Sequence, residues 1–183
     1  TDLDGGSASG TVTVTIIGVN DVAAISGDNT GSVTEGDAGD IGVLAVSDVD
    51  NGENLFQIQT GSVGIYGDFS IDATGNWSYT RTANLQSLAV GESVADSFTV
   101  ASLDGTATEV ITITITGEND APVIIGVASN HDDVCDASAN KVVTISGTFS
   151  DIDTSDTHIA SVNWGDGTTS NVAVNQLANT LAG

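Results

Sequence analysis

An all-β chain of tandem sandwiches follows from three observations. Thr, Val, Ile and Ser dominate runs in which polar and apolar residues alternate, Gly, Asp and Asn interrupt those runs every few positions, and one stretch occurs twice. β-Branched residues at a period of two favour half-buried strands, and Gly, Asn and Asp favour the turns between them. The recurring stretch is Thr112-Ile-Thr-Ile-Thr-Gly117-Glu118-Asn119-Asp120-Ala121-Pro122-Val123, and its earlier copy is Thr11-Val-Thr-Val-Thr-Ile16-Ile17-Gly18-Val19-Asn20-Asp21-Val22-Ala23. Asn20-Asp21 returns as Asn119-Asp120, a period of 99 residues. That length suits a seven-strand Greek-key sandwich of immunoglobulin size.

The elements follow in order. Residues 1–19 read as the tail of a preceding repeat, so the chain is expected to start inside a longer array. Asp2-Leu-Asp4-Gly is a turn and Thr11–Ile17 its return strand, matching Ser102-Leu-Asp104-Gly and Val110–Thr116. Residues 20–120 form one complete unit. Strand A is Val22–Val33, broken around Asp28-Asn-Thr-Gly31, and strand B is Ile41–Ser47. Strand C is Leu55–Thr60, D is Ile65–Ile71 and E is Trp77–Arg81. A helical turn is expected over Ala83–Leu88, followed by F at Val94–Ala101 and G at Ala107–Thr116. Trp77 and Tyr79 alternate with Ser78 and Thr80, so both face the core. Pro122, the single proline, fixes φ and sends the chain out extended. Residues 121–183 begin a different unit with strands at Val142–Phe149 and His158–Trp164, the latter ending in a core tryptophan. About four strands are legible there, too few to close a sandwich, so the unit is expected to be cut short.

Charge is the extreme feature. Arg81 and Lys141 are the only strong bases against 25 acids, for a formal net charge of −23. Nucleic-acid binding needs clustered Lys and Arg, and docking to anionic lipid needs the same, so both are excluded as partners. No run approaches the apolar length that crosses a bilayer. Cys135 is the lone cysteine, so no internal disulfide forms. His131 and His158, the only histidines, sit in no nucleophile motif, and no catalytic constellation is present.

Strand parity sorts the acids. Successive loops of an antiparallel sandwich alternate between its two ends. Asn20, Asp21, Asp48, Asp50 and Asp104 fall at the near end; Glu35, Glu92, Asp96, Asn119 and Asp120 fall at the far end. The next unit brings Asp151 and Asp153 to that far end in its own Asp-x-Asp loop. Carboxylates, Asn amides and backbone carbonyls are all oxygen donors. Ca²⁺ takes 6–8 such ligands in flexible geometry, whereas Mg²⁺ keeps its waters and zinc wants Cys and His.

Residues 20–122 resemble a VCBS repeat, a bacterial cadherin-like module of long RTX-type surface adhesins. The resemblance is carried by Val33-Thr-Glu35, Val46-Ser-Asp48-Val-Asp50, Gly67-Asp-Phe-Ser-Ile-Asp72-Ala-Thr-Gly75-Asn-Trp77-Ser-Tyr79, Gly91-Glu92, Asp96-Ser-Phe98-Thr-Val100 and Gly117-Glu-Asn-Asp-Ala-Pro122. The unit is also similar to animal cadherin repeats. That similarity implies that Glu35, Glu92, Asn119 and Asp120 share calcium with Asp151 and Asp153, while Asp48, Asp50 and Asp104 serve the preceding joint. The linker lacks the leading Asp and trailing Asn of the animal pattern, and Gly91-Glu92 replaces its acid-basic-acid triplet, so fewer ions per joint are implied. Gly147-Thr-Phe-Ser-Asp-Ile-Asp153 and Val162-Asn-Trp164-Gly-Asp-Gly167 resemble a PKD-type sandwich. The function so implied is that of spacer repeats in the stalk of a secreted or surface-anchored bacterial adhesin, stiffened by Ca²⁺, in adhesion or biofilm. The partners are neighbouring repeats and, through other domains, cell-surface glycans or other cells. The alternative is a carbohydrate- or self-binding extracellular module.

Overall fold

The computed structural model describes residues 3–130, 143–176 and 178–182. The readings made for Asp2, His131, Cys135, Lys141 and Val142 lie outside those residues. The chain is all-β, as expected. Among the described residues no helix is long and apolar enough to cross a membrane.

The first unit packs two sheets face to face. One holds β1 (Ala24–Gly27), β3 (Gly39–Ser47), β4 (Gln59–Val63), β5 (Gly67–Ile71) and β6 (Asn76–Arg81), in the order β1-β3-β6-β5-β4. The other holds β2 (Thr30–Thr34), β7 (Ser93–Ala101) and β8 (Thr108–Thr116), in the order β2-β8-β7. β2 runs parallel to β8, and the other pairs are antiparallel. The break expected in strand A is the switch between sheets: β1 pairs with β3, and β2 crosses to β8.

Alternation decides what is buried. In β8, Ile111, Ile113 and Ile115 point inward, and Thr112, Thr114 and Thr116 take the other face. In β6, Trp77 and Tyr79 are buried as expected. The Trp77 indole donates through Nε1 to the Asp28 carbonyl at 2.8 Å, so its polar atom is satisfied inside the core. Phe69 stacks on Phe98 with ring centroids 4.7 Å apart. Gly42 lets the Trp77 ring lie against β3, where an added Cβ would come within 2.3 Å of the indole.

Three local expectations are corrected. The segment assigned to strand C is split: Phe56 bridges Ser102 beside β7, and the regular strand is β4, which belongs to the opposite sheet. Residues 83–88 form no helical turn; Leu88 N–H donates to Leu85 O and closes a simple turn. Thr11–Ile17 is not a strand. Its Val12, Val14 and Ile16 are exposed. A ladder needs a neighbour, and among the described residues no strand pairs with it.

The second unit is one five-stranded sheet among the described residues. It holds β9 (Val123–Ser129), β10 (Ile145–Ser150), β11 (Ala160–Asn163), β12 (Thr169–Asn175) and β13 (Thr180–Ala182), ordered β11-β12-β13-β10-β9. Trp164 does not reach a core. It stays 42 % exposed, with Nε1 donating to Ser170 Oγ at 2.9 Å in the β11–β12 hairpin.

Candidate metal centre

Two structural facts converge on the connector between β8 and β9. β2 ends at Thr34, so Glu35 leaves the sandwich at its far end, and Glu35 N–H donates to Thr116 O at 2.9 Å. β10 ends at Ser150, so the loop after it carries Asp151 and Asp153 to the same place. Glu35, Asp120 and Asp153 meet there, each offering a carboxylate oxygen within 4.8 Å of the others. Glu35 is 2 % exposed and Asp153 is 1 % exposed.

Two of the oxygens at this seam hold the protein together. Glu35 Oε1 accepts the Glu118 N–H at 2.9 Å, and Asp153 Oδ2 accepts the Asp120 N–H at 2.7 Å. Three others, Glu35 Oε2, Asp120 Oδ2 and Asp153 Oδ1, are buried with no hydrogen-bond partner. An unpaired carboxylate out of water costs several kcal/mol, and three together also repel. Arg81 does not neutralise them; it donates to the carbonyls of Asp37 and Ala83.

The same arrangement appears around Asn20-Asp21. The Asp21 N–H donates to Asp50 Oδ2 at 2.7 Å, as the Asp120 N–H does to Asp153. Asn20 Nδ2 donates to Asp21 O at 3.2 Å and to Asp104 Oδ2 at 3.1 Å. Asp48, Glu53 and Asp104 form a second group with oxygens within 4.8 Å of one another, and Asp48 Oδ2 and Glu53 Oε2 are buried without partners. Burial, and then the charges of Asp50, Asp104 and Asp48, push the Glu53 carboxyl up. Hydrogen bonds from Ser102 and Thr106 hold Asp104 well below the usual carboxylate range. Two loops therefore bring together acids whose proton affinities their surroundings push in opposite directions.

The remaining expected residues lie beside these groups. Asn119 is exposed, with Nδ2 donating to Asp120 O at 2.8 Å. Glu92 is exposed, and its Oε2 accepts Ala89 N–H within its own turn at 3.2 Å. Asp151 uses Oδ1 for the Asp153 N–H and Oδ2 for His158 Nε2, at 2.9 and 2.7 Å. The imidazole lowers the Asp151 pKa, and the carboxylate raises that of His158. Asp96 is a buried strut, described below. Sequence reasoning missed Glu53 and His158; the spacing Asp48-x-Asp50-x-x-Glu53, repeated as Asp151-x-Asp153-x-x-Asp156, carried the signal for the first.

A family model for a bacterial cadherin-like domain matches residues 20–117, more than half of the chain. The chain belongs to that family. No curated protein matches it. The cadherin-like domain is a structural and adhesive fold of extracellular, surface-type proteins, not one typical of enzymes, and such domains generally bind Ca²⁺. Glu35 of this cadherin-like domain, with Asp120 and Asp153 beyond its matched end, fits such an ion. Calcium–oxygen distances are typically about 2.4 Å, so two ligand oxygens on opposite sides of one ion lie about 4.8 Å apart. Three carboxylates that each bring an oxygen inside that span, and that each keep a buried oxygen without a partner, are a hard-cation donor set.

Proposed function

We propose that this chain is a stretch of spacer repeats from the stalk of a secreted or surface-anchored bacterial adhesin, with Ca²⁺ at its joints. The units read as the end of a preceding VCBS-like repeat (1–19), a complete VCBS-like repeat (20–120) and the start of a PKD-like domain (121–183). Glu35, Asp120 and Asp153 would hold one ion at the seam; Asp48, Glu53 and Asp104, with Asn20, Asp21 and Asp50 orienting the loop, would hold another at the preceding joint. The observation that carries the reading is the set of three buried, partnerless carboxylate oxygens contributed by the first sandwich, the connector and the next loop. A cation there supplies charge neutralisation, so that segments far apart in sequence are held together instead of repelling. Stiff repeats project an adhesive tip away from a surface, and neighbouring repeats are the partners that matter.

Small-angle scattering of the chain with calcium and with chelator tests the proposal. The maximum dimension and its spread should change on chelation, and identical curves would reject an ion-stiffened rod. A second reading, a carbohydrate-binding module, draws on the exposed indole of Trp164 close to Asp166 in the β11–β12 hairpin. A glycan array would decide it; hits lost on Trp164→Ala would favour it over the spacer role.

A further inference from the structure

The two joints share three hydrogen bonds, although Glu35 at the seam and Asp104 at the preceding joint have no counterpart in the other. In each, the second Asp of the Asp-x-Asp pair donates its N–H to Oδ1 of the first: Asp50 to Asp48 at 2.8 Å, Asp153 to Asp151 at 2.9 Å. In each, the acid three places on closes a turn onto the second Asp: Glu53 N–H to Asp50 O at 3.3 Å, Asp156 N–H to Asp153 O at 3.0 Å. In each, the linker Asp donates its N–H to Oδ2 of the second Asp at 2.7 Å. The remaining oxygen of the first Asp breaks the match. Asp48 Oδ2 is buried with no partner, on a carboxylate grouped with those of Glu53 and Asp104. Its counterpart, Asp151 Oδ2, receives His158 Nε2 at 2.7 Å.

Resting on the calcium reading above, we infer that the seam takes a metal ion at one position only, Glu35–Asp120–Asp153, because His158 fills the second cation position that Asp48, Glu53 and Asp104 leave open at the preceding joint. The histidine is built into that place. Its ring lies 4.6 Å from the Phe149 ring, centroid to centroid. Gln176 fixes it from behind: Gln176 Oε1 accepts the His158 N–H at 2.9 Å, and Gln176 Nε2 donates to the His158 carbonyl at 2.6 Å. A backbone N–H can only donate and a carbonyl only accept, so the Gln176 amide has one possible orientation. Its oxygen also lies 3.1 Å from His158 Nδ1. Both ring nitrogens therefore face oxygens, and the ring is fixed from both sides. A ring so held covers Asp151 Oδ2, the oxygen that a second ion would need.

Counting bound calcium on the intact chain by native mass spectrometry, with affinities from calorimetry, tests this. The wild type should hold two ions, one at each carboxylate group, and Asp48→Asn should remove the one at the preceding joint. His158→Asp should hold one more than the wild type, since Asp151 Oδ2 and Asp156 then face a vacant, more acidic position. His158→Gln, which keeps a nitrogen donor toward Asp151, should hold the wild-type number. If His158→Asp does not fold, His158→Ala exposes the same oxygen and should gain the ion. An unchanged count in whichever of these two variants folds overturns the inference while leaving the calcium reading intact. A wild type that binds no calcium overturns both.

Discussion

The backbone N–H of Asp120 donates to Oδ2 of Asp153 at 2.7 Å, across 33 positions of sequence. The seam is thus ordered by a hydrogen bond within the protein before any cation enters, and the same carboxylate, grouped with those of Glu35 and Asp120, keeps its other oxygen buried and without a partner. Asp153→Asn keeps an oxygen for the Asp120 N–H but loses the charge. Its Asp120 amide should stay protected from hydrogen exchange, while calcium affinity falls by tenfold or more, about 1.4 kcal/mol or greater. Asp153→Ala should lose both. Equal calcium affinity in wild type and Asp153→Asn would show that Asp153 is not a ligand.

Glu35 gives a prediction whose sign reverses with calcium. Without an ion, its buried carboxylate repels those of Asp120 and Asp153, so Glu35→Gln should melt higher than wild type in chelator. With calcium, the wild type gains stability by mass action, about 2.7 kcal/mol when free ion exceeds the dissociation constant a hundredfold. Glu35→Gln should gain much less, and the two melting curves should exchange order. A variant less stable than wild type under both conditions would mean that the lost packing outweighs the relieved charge.

Most of this geometry is legible in the sequence because two simple rules produce it. Alternation put Ile111, Ile113, Ile115, Trp77 and Tyr79 inside, and counting loops placed Asn20 and Asp21 with Asp50 and Asp104, and Glu35 with Asp120 and Asp153. Parity gives the end of the sandwich, not the direction of a side chain. Glu92 reaches the far end and then closes its own turn on Ala89. Asp96 sits in β7 with an inward-facing side chain, so it is drawn into the core instead of the loops. The split of strand C is invisible to periodicity, because Phe56 and β4 satisfy the same alternation in different sheets. His158 was equally hidden: nothing in its neighbours in sequence indicates that Gln176, 18 positions on, holds its ring toward Asp151.

Asp96 is the internal strut of the first sandwich. Its Oδ1 accepts Ile65 N–H at 2.8 Å, and its Oδ2 accepts Tyr66 N–H at 2.9 Å, Gly67 N–H at 3.0 Å and the Tyr79 hydroxyl at 2.9 Å. These bonds pin the β4–β5 turn to the core, and Gly64 leaves the room: an added Cβ there would lie 2.5 Å from Asp96 Oδ2. Asp96→Ala strands four donors and should cost about 3–5 kcal/mol. Tyr79→Phe removes one donor and should cost about 1–2 kcal/mol. Urea denaturation resolves both, and an Asp96→Ala cost below that of Tyr79→Phe would contradict the assignment.

The β5–β6 turn carries a pH dependence that can be separated from the joints. Asp72 Oδ1 accepts the N–H groups of Thr74 and Asn76 and the Thr74 hydroxyl, and Oδ2 accepts the Asn76 amide. The Asn76 amide first, and the Thr74 hydroxyl next, pull its pKa from the ordinary 3.8 down to about 2. A carboxyl depressed by folding adds stability above its unfolded value, and that contribution is lost as pH falls toward the folded value. Asp72→Ala should therefore melt below wild type at neutral pH in chelator. The gap should hold down to about pH 4, narrow as the pH drops toward about 2, and close beneath it. Melting curves of the two proteins across that range decide the matter: a gap that persists unchanged at the acid end would show that the turn is held by its backbone and by Gly75 at φ 92°, not by the ionised Asp72.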